Sequence, residues 1–314
     1  RQRQMCIRDR KDAKCQLAEK WVEKTVTDSE LQVSEDDTQI HIKGREFAYT
    51  IDRRTALFTE MKFAGREYLN HPMELNIWRA PTDNDMYIKA EWKKAHYDKA
   101  YTRAYTTEVV QGKHGVKITS HASVVAETVQ KILDVTITWK IDASGKIDAD
   151  IEATKDGEFP DLPRFGVRMF LDKKLSDARY FGMGPQESYR DKHQAASHGL
   201  YRANVGDLHE DYIRPQENGS HYDCEYVELN NSRYGIVASA EKAFSFNASY
   251  YTQEELEKKT HNYELTESDS VVFCVDYALN GIGSNSCGPV VLEQYRFDDV
   301  LFRFQFTLIP YVKG

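Results

Sequence analysis

Val135-Thr136-Ile137-Thr138-Trp139-Lys140-Ile141-Asp142-Ala143-Ser144-Gly145-Lys146-Ile147-Asp148-Ala149-Asp150-Ile151-Glu152-Ala153 alternates apolar and polar side chains on both sides of a four-residue turn. Successive side chains of a strand point to opposite faces, so Val135, Ile137, Trp139 and Ile141 share one face. Ile147, Ala149, Ile151 and Ala153 share the matching face of a second strand. With Gly145 in the turn, the stretch predicts an antiparallel hairpin with one face in a core and the other in water.

The same period runs outward in both directions. Ile40 and Ile42, then Phe47, Tyr49 and Ile51, alternate with polar neighbours; near the C-terminus Phe302, Phe304, Phe306 and Leu308 do so before Pro310. Helical signals are short: Thr252-Gln253-Glu254-Glu255 is a capping box predicting a helix from Glu254 to about His261, and Ile88–Tyr97 is a second candidate. Strands are not separated by regular helices, and no repeat of 20 to 50 residues recurs, which excludes a parallel α/β fold and a propeller. No Gly-Ser or Pro-rich linker interrupts residues 31–314. The expectation is an all-β chain: one domain over 31–314, built as a large antiparallel β-sandwich of two sheets packed face to face, with one or two short helices. Residues 1–30 are set apart. The first ten, with four Arg and no period, are expected to be a tail of non-native origin, and 11–29 a linker or the end of a preceding domain.

Composition narrows the function. The chain has 314 residues, 40% hydrophobic and 29% charged, with a net charge of -8, which excludes nucleic acid as a partner. No run reaches the roughly 18 apolar residues of a membrane span, and no secretion signal is evident, so a soluble cytoplasmic protein is expected. Cys6, Cys15, Cys224, Cys274 and Cys287 are scattered without a CxxC pair and read as free thiols, Cys274 as a buried one. The ten His form no HExxH, and no Gly-x-Ser-x-Gly elbow occurs, so neither zinc nor triad hydrolysis is supported.

Four stretches carry polar chemistry beside turn formers. In Asn76-Ile77-Trp78-Arg79-Ala80-Pro81-Thr82-Asp83-Asn84-Asp85, three short polar residues follow a proline; they suit Asx turns better than a metal loop, which would need a Gly turn and a distal Glu. Trp78 reads as core. Tyr180–Tyr189 and Arg214–Gly219 each place Gln and Glu after Pro, making Glu187 and Glu217 candidates for a paired-carboxylate site, against a structural role. Gly281–Pro289 is a small-residue loop suited to binding.

Together these stretches, in this order across about residues 31–311, resemble the C-terminal domain of bacterial β-galactosidases of glycoside hydrolase family 2, which some bacteria encode as a separate small chain. The resemblance implies a supersandwich shared with galactose mutarotases, and catalytic glutamates on a separate (β/α)8 barrel, so that no catalytic residue lies on this chain. It implies partners: a large catalytic chain or the N-terminal catalytic domains, a galactoside at the shared site, and an oligomer. No cofactor or metal is expected on this chain; magnesium and sodium belong, by the resemblance, to the full enzyme. The expected substrate-rim residues are Asp83, Asn84 and Asp85 with Asn285, Ser286 and Cys287. Cys287 stands where well-known members place a Trp against the sugar, in a loop one residue shorter, and a Cys offers no stacking face. Two other readings stay open: an aldose 1-epimerase-like mutarotase using a carboxylate and one of His193, His198, His209 or His221, and a carbohydrate-binding module resting on 12% aromatic residues.

Overall fold

In the computed structural model of the chain, residues 31–128 and 131–313 are described. The expected tail and linker over 1–30, with Cys6 and Cys15, lie outside them. Five strands form a small sheet in sequence order: β1 (Gln32–Glu35), β2 (Gln39–Lys43), β3 (Phe47–Asp52), β4 (Leu57–Phe63) and β5 (Arg66–Glu67). Twelve form the large sheet: β6 (Leu69–Asn76), β7 (Tyr101–Gln111), β8 (Gly115–Val125), β9 (Leu133–Asp142), β10 (Ile147–Lys155), β11 (Arg164–Asp172), β12 (Asp177–Gly184), β13 (Ser197–Asn204), β14 (Ser220–Asn230), β15 (Tyr234–Ser249), β16 (Ser270–Leu279) and β17 (Leu301–Val312). Every pairing among these strands is antiparallel.

The large sheet runs β13-β12-β14-β15-β17-β10-β9-β8-β7, and a branch leaves β15 through β16 and β11 to β6. The fork has a clear cause. Tyr234–Ser239 of β15 pairs with β17, whereas Ser245–Ser249 pairs with β16, so one long strand serves two neighbours in turn. The all-β antiparallel architecture is the expected one, but the two sheets are unequal and the larger is branched. Alternation could not reveal the branch, because β16 is buried along both faces and reads as a continuous apolar run.

The hairpin that opened the reading forms β9 and β10, with Trp139 opposite Ala149 and Ile141 opposite Ile147. Gly145 sits in the turn at φ +85°, a region glycine enters without a Cβ penalty. A Cβ there would also come within 2.9 Å of the Phe47 ring. Trp139 ties the sheets together: it is fully buried, its edge meets Phe58 of β4 and Phe306 of β17, and its indole N–H donates to Ala56 O at 2.8 Å. Apolar faces of both sheets merge in one core.

Among the described residues there are two α-helices. α1 (Ile88–Lys94) buries Trp92, and α2 (Gln253–Lys258) starts on the expected cap, Thr252 Oγ1 accepting from Glu255 N at 3.1 Å. α2 stops at Lys258, short of His261; a separate 3-10 turn occupies Asn262–Glu264. Cys224 and Cys274 are buried free thiols and Cys287 is exposed.

Trp139→Ala removes the buried contact between the sheets and leaves the Ala56 carbonyl without its donor. We expect a loss of about 3 to 5 kcal/mol in urea-unfolding free energy.

Candidate functional site

β6 ends at Asn76, and the chain then runs buried through Ile77–Ala80. Trp78 is core, edge-on to Trp92, with the Lys93 ammonium 4.8 Å from its ring centroid. Arg79 is fully buried. Its Nε and Nη2 clasp Asp85 at 3.1 and 2.7 Å, and its remaining donors reach Asn280 O at 2.6 Å and Gly281 O at 3.1 Å. Asp85 Oδ2 also accepts from Thr82 N and Oγ1 at 2.9 and 3.1 Å. Asp85 is thus an internal tie, 2% exposed, and is corrected from a rim contact to a structural residue.

A second buried cluster lies beside it. Arg164 of β11 donates to Asp276 of β16 from Nε and Nη2 at 3.1 and 2.5 Å, and to Glu217 from Nη1 at 3.1 Å. Glu217 N donates to Ala80 O at 3.0 Å, joining this cluster to the first loop. Burial pushes the Glu217 and Asp276 carboxyls up, opposed by Arg164. Burial also disfavours charge on Arg164, but Asp276 and Glu217 outweigh it and hold the guanidinium proton firmly.

Glu187 ties the second stretch to the third. It accepts from Gly219 N at 2.9 Å, from Lys192 Nζ at 2.5 Å, from Tyr189 OH at 3.3 Å and from the Tyr212 hydroxyl. Glu187 and Glu217 are therefore both engaged in structural bonds, and the paired-carboxylate reading gives way to a scaffold role. None of His193, His198, His209 and His221 hydrogen-bonds to either: His193 meets Tyr189 O, His198 meets Asp223 O, His221 meets Met183 O, and His209 lies 3.5 Å from Asp211. Among the described residues no group of three or more His, Cys, Asp or Glu is arranged to hold a metal ion.

These ties support the exposed loop after β16. Asp191 Oδ1 and Oδ2 accept from Ile282 N and Gly283 N at 3.0 and 2.7 Å, and Asn84 Nδ2 donates to Gly283 O at 2.8 Å. Ser286 Oγ donates to Asn84 Oδ1 at 2.7 Å, so two of the expected rim residues are in contact across 202 positions of sequence. Asp83 is exposed and joins through its backbone N–H, which donates to Gln216 Oε1 at 2.9 Å. Asn285 and Cys287 sit at the outer edge of the loop, Cys287 exposed and 3.9 Å from Ser286 Oγ. Next in sequence to these segments, Met86, Tyr87, Ile213, Val290 and Leu292 leave apolar side chains in solvent, Ile213 at 88%.

Sequence reading missed Arg164, Asp276 and Asn280. The signal was available in part: Asp276 is the one charge in the apolar run of β16, where an unpaired charge would be costly. What sequence lacked was the pairing of β11 with β16.

Fold and site together define a β-sandwich domain with a rim of interlocked polar loops edged by exposed apolar side chains. Residues 43–308 match the family described as "Beta galactosidase small chain", and the chain belongs to that family. It is 44% identical over 285 residues to a β-galactosidase of Actinobacillus pleuropneumoniae, covering 91% of this chain and 28% of that protein. A β-galactosidase of Staphylococcus xylosus is 32% identical over 282 residues, covering 90% and 28%. The chain thus spans about 28% of the length of these relatives. Against the crystal structure of galactose 1-epimerase from Lactobacillus acidophilus the TM-score is 0.46 at 9% identity, covering 91% of this chain and 99% of that one.

Asp85→Ala leaves the fully buried Arg79 without its carboxylate, and we expect about 3 to 5 kcal/mol of lost stability in urea titration. Asp83→Ala, which keeps the backbone tie, is expected within about 0.5 kcal/mol of the parent. A pH effect follows from His221. Burial against Tyr180 and Phe246 pushes its pKa down from 6.5 to about 4. The folded state binds this proton less tightly than the unfolded state, so the contribution is complete above pH 6.5 and is lost as pH falls through about 4. We expect about 3 kcal/mol of acid destabilisation from this group, read from urea midpoints across that window and flattened in His221→Phe.

Proposed function

We propose that the chain is the small chain, or the C-terminal part, of a family 2 β-galactosidase, and that it completes the active-site rim of a catalytic (β/α)8 barrel hydrolysing terminal β-galactosides with retention. The observation that carries this is the rim itself. Residues from three separated segments are tied together by Arg79, Asp85, Asn84 and Asp191, so that the loop 281–289 is held in place by bonds to the other two. The family match and the 28% coverage of full-length relatives support a division of labour in which the chemistry lies elsewhere. Glu187 and Glu217 support it too, since both are committed to internal bonds.

In this reading Asn285, Ser286 and Cys287 face the galactoside from one side, Asp83 and Asn84 support them, and the exposed Met86, Tyr87, Ile213, Val290 and Leu292 seat against the catalytic partner. The task of the chain is positioning and exclusion of water, not bond breaking. Retention, the cytoplasmic setting, the oligomer, and magnesium and sodium in the assembled enzyme are parts of the same proposal. Among the described residues no helix is long and apolar enough to cross a membrane.

The purified chain is expected to show no turnover of an aryl β-galactoside alone and to restore turnover when mixed with a catalytic chain that lacks this region. Robust hydrolysis by the chain alone overturns the proposal. Asn84→Ala, which releases Gly283 and Ser286, is expected to lower kcat/KM of the reconstituted enzyme about tenfold with little change in unfolding midpoint.

A further inference from the structure

The fork of the large sheet leaves space at its crotch. β15 pairs with β17 through Ser239 and with β16 from Ser245, and between these points residues 240–243 run along a cleft of about 570 Å³. That volume lies within the range of small-molecule sites. One wall is β17, whose residues 301–306 have a strand partner only on the β10 side among the described residues. The end of β16, at Tyr277 and Ala278, forms the other wall.

The chemistry of the walls is specific. On the wet face of β10 and β17, Asp150 accepts from Arg303 Nε and Nη2 at 2.7 and 2.5 Å and from Gln305 Nε2 at 3.2 Å. Asp148 accepts from Thr307 Oγ1 at 2.6 Å. This makes a row of planar polar groups held in place by one another, with acceptor capacity remaining on both carboxylates. Lys140, Arg190, Lys242 and Arg303 stand against Asp148, Asp150 and Glu241, a near balance that gives little field to draw in an anion. The half-buried aromatic rings of Tyr222 and Tyr277 line the inner end, where the cleft continues into a narrower recess reaching Tyr189.

We propose that this cleft binds a neutral oligosaccharide, at a site separate from the rim loops. Hydroxyl groups donate and accept at once and match a row of interlocked carboxylate, guanidinium and amide groups, while aromatic rings suit the apolar face of a pyranose. Balanced charge favours a neutral sugar over a phosphorylated or acidic one. Among the described residues no histidine lines the cleft, and its carboxylates at Asp148 and Asp150 are engaged by Thr307 and by Arg303 and Gln305, which suits binding. A bound glycan there would hold the chain near a polymeric or multivalent galactoside independently of the rim.

The test is calorimetric and saturation-transfer titration of the 314-residue chain with lactose and maltotriose, and with galacturonate as the anionic arm. Millimolar binding of at least one neutral sugar, with galacturonate no tighter, is expected. Arg303→Ala and Gln305→Ala are expected to weaken it about tenfold or more, while Ser286→Ala in the rim leaves it unchanged. Thermal melts identify any variant that fails to fold, and Gln305→Ala, at an exposed position, decides if Arg303→Ala does. No binding by the parent chain at tens of millimolar sugar overturns the proposal. So does binding that survives both cleft variants or is lost in Ser286→Ala. The rim reading is tested separately by reconstitution of turnover, so either can fail without the other.

Discussion

The clasp between Arg79 and Asp85 is the constraint on which the exposed surface depends. A guanidinium with no solvent access must find acceptors for its donors, and here they come from Asp85 and from the carbonyls of Asn280 and Gly281. One residue thereby fixes the end of β6 relative to the end of β16. Its neighbour Arg164 does the same for β11, β16 and the segment at Glu217. Both clusters are expensive to bury and act by geometry, since a bidentate pair tolerates few orientations. The loop 281–289 inherits that rigidity through Asp191 and Asn84.

The fork in the large sheet supplies the setting. Because β15 passes from β17 to β16, the sheet forks: Arg164, Asp276 and Asn280 reach the loops through their bonds, and a cleft opens between β17 and the end of β16. Trp139, bridging the hairpin to Phe58 and the Ala56 carbonyl, anchors the small sheet against the large one. The same architecture therefore provides a stiff rim and a separate concave groove.

Much of the fold was legible in residue pattern. Alternation located the β9–β10 hairpin and β17, and the Thr252 capping box located the start of α2. The site was legible less evenly. Pro, Gly and short polar residues marked the four stretches, yet Asp85, expected at the substrate rim, proved to be an internal tie of Arg79, while Glu187 and Glu217 took the structural one of the two roles their pattern left open. A carboxylate in a loop reads the same whether it faces water or a buried guanidinium 50 residues away; only its partner tells the two apart.

By itself, the sequence determined the antiparallel β character and the resemblance that the family match bears out, because periodicity and motif order are local properties of a chain. Tertiary structure alone decided which charges are buried, that Asn84 meets Ser286, and that β15 forks to leave a cleft. Those are outcomes of pairing between strands and loops far apart in sequence. Their free energies depend on burial and on the partner found there, and no single residue type encodes either.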